Sequence, residues 1–133
     1  MAFGTVAFDT LQTSDSKKTG TSKTLDTSYV FNGTPKAWAS INEVTTVSIF
    51  DSFNLSSTTD DGNGRTDFVL TNVMSNANYA PNATAGLNGA TLFAHLTTKS
   101  LITSSEFRVN SNSEAGTVTD SDVKVMAVHG DLA

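Results

Sequence analysis

From residue 36 onward, apolar and polar side chains alternate with a period of two, in short runs separated by turn-forming residues. In "KAWASIN" (36–42), Ala37, Ala39 and Ile41 fall on one face and Trp38, Ser40 and Asn42 on the other, the pattern of a strand. "TVSIFDSFNLS" (46–56) sets Val47 and Ile49 on one face, then Phe53 and Leu55 after a break expected at Asp51 and Ser52. "TDFVLTNVM" (66–74) turns Phe68 and Leu70 inward with Val69 opposite, and "ATLFAHLTT" (90–98) and "SEFRVNS" (105–111) supply two further runs. The last run, "DVKVMAVHG" (122–130), carries Val123, Val125 and Ala127 on one face and Met126 and Val128 on the other. Strand signals about ten residues apart predict a sandwich or barrel of antiparallel strands. No window keeps the i, i+3, i+4, i+7 spacing over three turns, so helix content is expected to be close to nil.

Two stretches between the runs, "NANYAPNATAGLNGA" (76–90) and "VNSNSEAGTVTDSD" (109–122), read as loops by their Asn, Gly, Ser and Asp content. Several strands, the last above all, are apolar on both faces, whereas the core of one small sandwich needs only one. The second face is therefore expected to meet a neighbouring subunit.

Residues 1–35 differ. Val6 and Phe8 alternate with Thr5, Ala7 and Asp9, which suits a short strand. The following "TLQTSDSKKTGTSKTLDTS" is too polar to offset its own ordering entropy. It fits a loose leader or an arm that orders against a partner chain; Tyr29 and Phe31, which close it, favour the arm.

Composition sharpens this picture. The chain of 133 residues suits one compact domain, and its 21 Thr, 16 Ser and 11 Asn disfavour helix interiors while Thr favours pleated sheet. A net charge of −5, with basic residues scattered apart from Lys17 and Lys18, argues against nucleic-acid binding. The absence of cysteine excludes disulfides, thiolate metal sites and a cysteine nucleophile. The start lacks the basic and apolar regions of a signal peptide, and no run is long enough to insert in a membrane as a helix, so a soluble product is expected.

Candidate chemistry is sparse. His95 and His129 each fall in a strand run with no acidic residue three or four positions on, and read as packed or hydrogen-bonded strand residues. No serine sits in a nucleophile-elbow frame, and the 13 acids are scattered. Trp38, Tyr29 and Tyr79 could stack on a sugar ring, but core or interface roles suit them better. Asn32, Asn54 and Asn82 begin Asn-x-Ser/Thr sequons, which matter only in a eukaryotic secretory path. "SSTTDDGNGRTDFVLT" (56–71) suggests a calcium loop at first sight. Asp61 and Asn63 fit its first two ligand positions, but Arg65 occupies the third and Asn72 stands where the closing glutamate belongs. Asp-Gly and Asn-Gly between alternating runs are instead strong hairpin text. Neither catalytic, cofactor nor metal residues are assigned, and no enzymatic activity is expected.

"KAWASIN", "DSFNLSSTTDDGNGRTDFVLT" (51–71) and "MSNANYA" (74–80) together resemble a module of tail-fibre and other virion surface proteins of bacteriophages, notably phages of cyanobacteria and marine bacteria. The opening "FGTVAFDTLQTSD" and the closing "VKVMAVHGD" are similar to the leader and last strand of such proteins. Ser40 and Glu43 depart from the pattern, standing where larger or turn-forming residues are expected, and Ser75 replaces a proline; residues 83–107 are individual to this chain. The resemblance implies a β-sandwich, assembled as a homotrimer, with no cofactor and no catalytic residues to carry over.

The expectation is therefore an all-β protein: a single antiparallel, jelly-roll-like β-sandwich over 36–133, with an extended attachment arm over 1–35. Its expected role is that of a non-enzymatic virion protein on the exterior of tail or capsid, assembled in the host cytoplasm. As a short trimeric fibre or receptor-binding module it would contact itself, other virion proteins through the arm, and a host-surface glycan or protein through loops 80–90 and 110–121. The alternative is a capsid decoration (cement) protein that stabilises the head. The chain has no coiled-coil heptads or collagen-like repeat that could form a shaft, which keeps that alternative close.

Overall fold

A computed structural model of the chain describes residues 10–12, 24–96 and 101–133. The chain divides into two units, Met1–Thr34 and Pro35–Ala133. In the first, β1 (Thr10–Gln12) and β2 (Thr24–Asp26) pair antiparallel, and α1 (Thr27–Gly33) follows directly. The strand expected around Val6 and Phe8 lies outside the described residues. Seven helical residues in "TSYVFNG" modify the expectation of almost no helix. The helix stops at Gly33, two residues before Pro35, and both the backbone N–H and the hydroxyl of Thr34 donate to the Val30 carbonyl in its last turn.

The second unit is a sandwich of eight strands: β3 (Ala37–Asn42), β4 (Ser48–Phe53), β5 (Leu55–Asp60), β6 (Arg65–Leu70), β7 (Ala80–Gly86), β8 (Leu92–Leu96), β9 (Glu106–Ser113) and β10 (Val123–His129). They form two antiparallel sheets of four, in the orders β4-β3-β10-β7 and β5-β6-β9-β8. The chain crosses from sheet to sheet after β4, β6, β7 and β9 and stays in one sheet through the hairpins β3–β4, β5–β6 and β8–β9.

The two-residue periodicity explains the core. Ala37, Ala39, Ile41, Met126 and Val128 point inward from one sheet, and Phe68, Leu70, Phe107 and Val109 from the other; all are buried. Phe68 and Phe107 are cross-strand partners whose rings stack with centroids 5.4 Å apart. Tyr79, from the β6–β7 connection, meets Phe107 edge-on at 6.0 Å and donates its hydroxyl to the Glu106 carbonyl at 3.1 Å. Such aromatic contacts add about 0.5–1.5 kcal/mol each beyond the area they bury. Tyr79 is thus a core residue rather than a sugar platform.

Three sequence expectations shift. The run from 46 to 56 breaks at Asn54, not at Asp51 and Ser52, because Asn54 (φ 55°) turns the chain from one sheet to the other. Its side chain fixes that crossing: Nδ2 donates to the carbonyls of Lys36 (2.9 Å) and Asn72 (3.2 Å), while Oδ1 accepts from the Asn72 backbone (2.7 Å) and side chain (2.9 Å). Phe53 consequently lies opposite Trp38 on the outer face and does not share a face with Leu55. The supposed loop 76–90 contains β7, whose apolar residues are mostly alanines too small to register as a strand pattern, and β9 runs into the supposed loop 109–122 as far as Ser113.

The hairpin expected at Asp61–Gly64 forms as read. Asp61 N donates to the Arg65 carbonyl and Arg65 N to that of Gly62, with positive φ at Gly62 (98°) and Gly64 (65°).

Candidate functional site

The most concentrated chemistry is internal. Glu43, just past β3, and Lys124, on β10, are both buried and form an ion pair between the sheets. Glu43 also accepts from the hydroxyls of Thr66, Ser111 (3.0 Å) and Ser121 (2.6 Å) and from the backbone N–H of Ser121 (3.2 Å). Lys124 Nζ reaches the carbonyls of Gly64 and Val109, each at 3.3 Å. Burial pushes the Glu43 carboxyl up, but hydrogen bonds from Lys124, Ser121 and Thr66, with the Lys124 charge, outweigh it and hold the group below its ordinary value. Burial draws the Lys124 ammonium below its ordinary value, against the opposing pull of Glu43. With both charges paired and sealed from solvent, this network joins β3, β6, β9 and β10 and offers nothing to a ligand.

A second cluster absorbs the acids of residues 60–67. The Arg108 guanidinium on β9 clasps Asp67 on β6 in a bidentate pair (2.6 and 2.7 Å) and also meets Asp61 from the turn. Among the described residues no group of three His, Cys, Asp or Glu could hold a metal ion. His95 and His129 lie on β8 and β10, on outer faces of different sheets.

An accessible concavity lies at one end of the sandwich. The β7–β8 turn and the β9–β10 connection border a cleft of about 620 Å³ lined by Leu87, Gly89, Ala90, Thr91, Ser113, Glu114 and Ala115. Both walls are fastened. Ala90 N donates to the Leu87 carbonyl, Asn88 N to Asp122 Oδ2 at 2.7 Å, and Asn112 Nδ2 to the Gly116 carbonyl at 2.9 Å. Gly116 N closes the second turn on the Ser113 carbonyl at 2.9 Å. The lining presents one carboxylate and two hydroxyls on an apolar floor. That set can donate and accept hydrogen bonds, but it contains no acid–base pair and no nucleophile with an adjacent base.

Loops 80–90 and 110–121 were the stretches expected to make contacts. Residues 80–86 and 110–113 prove to be strand, and the turns beyond them converge. Glu43 and Lys124 were missed as partners, although a signal exists: Glu43 continues the inward series 37, 39, 41, and Lys124 begins the series 124, 126, 128. Trp38 is 38% exposed on the outer face of β3. No helix among the described residues is long and apolar enough to cross a membrane. Comparison with family models, with curated proteins and with solved structures finds no match.

Proposed function

We propose that this chain is a non-enzymatic bacteriophage virion protein, a short homotrimeric fibre or receptor-binding module on the particle exterior, that contacts a host-surface glycan or protein. The observation that carries this reading is the cleft between the β7–β8 turn and the β9–β10 connection. It is an accessible recess whose walls are held by backbone and side-chain hydrogen bonds and whose hydroxyls, carboxylate and apolar side chains suit the binding of a surface group. The ordered motifs from 36 to 80 that resemble phage surface modules supply the biological setting, and residues 1–35 act as the arm that joins the domain to other virion proteins.

Two variants of the purified protein test the reading. Wild type binds host cells, and Glu114→Lys or Thr91→Arg, both in exposed turns, abolishes binding without moving the melting temperature. Retention of full binding by both variants refutes the cleft as the contact site. A capsid decoration protein is the competing role, favoured by the apolar outer face of the β4-β3-β10-β7 sheet, which could bury area between capsomers. Copy number separates the two: a few trimers per particle mark a fibre, hundreds mark decoration.

A further inference from the structure

Three Asn-Gly steps occur in the chain, at Asn32–Gly33, Asn63–Gly64 and Asn88–Gly89. Asparagine is thermolabile, and most so before glycine, whose backbone nitrogen is shielded by no Cβ and can reach the side-chain carbonyl behind it. Reaction needs two freedoms. The Asn side chain must fold back so that its Cγ meets the next nitrogen, and that nitrogen must be open to attack.

The fold denies both freedoms to Asn63. Its Nδ2 donates to the Val118 carbonyl at 2.9 Å, and Gly64 N donates to Asp120 Oδ1 at 2.5 Å. Gly64 is buried, so close to the Thr119 backbone that a Cβ would stand 2.6 Å from it. Asn32 and Gly33 both belong to α1, whose backbone aims the Gly33 N–H at the carbonyl four residues back. Asn88 is placed differently. With Gly89 it forms the exposed β7–β8 turn, closed by Ala90 N on the Leu87 carbonyl, and the space around Gly89 is open. The Asn88 backbone N–H is tied to Asp122. Its side-chain amide and the Gly89 N–H have no hydrogen-bond partner among the described residues.

We propose that Asn88 is a site of spontaneous deamidation, through which the turn beside the cleft is rebuilt as the protein ages. Gly89 N gives its proton to solvent base and attacks Asn88 Cγ. The new C–N bond closes a cyclic succinimide, and Nδ2 leaves as ammonia. Water then adds to one of the two ring carbonyls. Opening at Cγ gives aspartate, whereas opening at the α-carbonyl gives a β-aspartyl link, in which the main chain runs through the former side chain and is longer by a methylene. Either product adds a carboxylate to the residue whose N–H the Asp122 carboxylate already accepts. The β-aspartyl form also pulls the turn out of its Leu87–Ala90 closure. Because Leu87, Gly89 and Ala90 line the cleft, one of its walls changes with the reaction. The assignment is independent of the host-binding role proposed above.

Peptide mapping by mass spectrometry tests it, on the purified full chain held in warm, mildly alkaline buffer, with each conversion read as an amide NH2 replaced by OH. In the folded protein Asn88 is expected to convert faster than Asn63 by about tenfold or more, because Asn63 must first release two hydrogen bonds. In concentrated urea, where those bonds are gone, the two rates are expected to converge. Asn88→Gln is expected to abolish conversion at that position and to leave the melting temperature unchanged. Equal rates at Asn63 and Asn88 in the folded protein would overturn the proposal, as would an Asn88 that stays intact there while converting in urea.

Discussion

Replacing Glu43 by glutamine keeps the shape of the buried site and removes one charge. The amide oxygen can still accept from Thr66 or a serine, but the Lys124 ammonium loses its paired counter-charge and keeps only neutral acceptors such as the carbonyls of Gly64 and Val109. Removing one partner of a buried pair costs about 3–5 kcal/mol. An upper limit follows from chemistry. Lys124 can escape by shedding its proton, and at about 1.36 kcal/mol per pH unit the interval from pH 7 to its ordinary value of 10.5 amounts to roughly 5 kcal/mol. Against a total stability of about 5–15 kcal/mol this is a large fraction. Urea titration at pH 7, with a slope of about 1.5 kcal/mol per molar, should show the midpoint falling by roughly 2–3 M. Lys124→Met should be comparably damaging, and the double variant should cost less than the two singles together by more than about 1 kcal/mol, because it no longer strands a charge.

Acid gives an independent reading of the same group. Since the folded-state value of Glu43 lies below the ordinary 4.5, its contribution is complete above about pH 4.5 and is lost as pH falls through the folded value. Wild-type stability should therefore decline in that window more steeply than that of Glu43→Gln. A midpoint shift below about 0.5 M, or parallel acid profiles, would refute the reasoning.

Gly64→Ala should destabilise by about 3 kcal/mol and Gly62→Ala by about 1, measured by thermal melts. Both residues have positive φ, but a Cβ on Gly64 would stand 2.6 Å from the Thr119 backbone whereas one on Gly62 meets nothing. Asp67→Asn should cost about 1–2 kcal/mol in urea, because its pair with Arg108 is largely shielded (13% and 17% exposed), while Asp61→Asn, at 45% exposure, should cost under about 0.5. Spectrophotometric titration at 295 nm should show Tyr79 ionising near pH 12 rather than 10, since burial and then the Glu106 charge push it up to about 12. The stability this gives is present below pH 10 and is lost as pH rises through 12; titration of Tyr79 with an ordinary value would contradict its core position.

The class of fold, the faces of its strands and the position of its sharpest turn are written locally in the residues. A period of two survives in any context that buries one face, so Ala37, Ala39 and Ile41, or Phe68 and Leu70, announce their orientation locally. Gly62 and Gly64 announce a turn because only that geometry needs their backbone freedom. What tertiary structure alone decided is which strands became neighbours. Glu43 and Lys124 lie 81 positions apart, and nothing local says that one neutralises the other; each reads separately as a flaw in an apolar register. The same holds for Asp61 and Asp67, whose common partner Arg108 is set beside them only by the β6–β9 ladder. The strand β7 was hidden because alanine carries little pattern, and it exists because the exposed backbone edge of β10 required a partner. The turns after β7 and β9 were legible as turn text although the strands beside them were not, and their convergence on one cleft follows from antiparallel pairing, which places the end of β7 beside the start of β10.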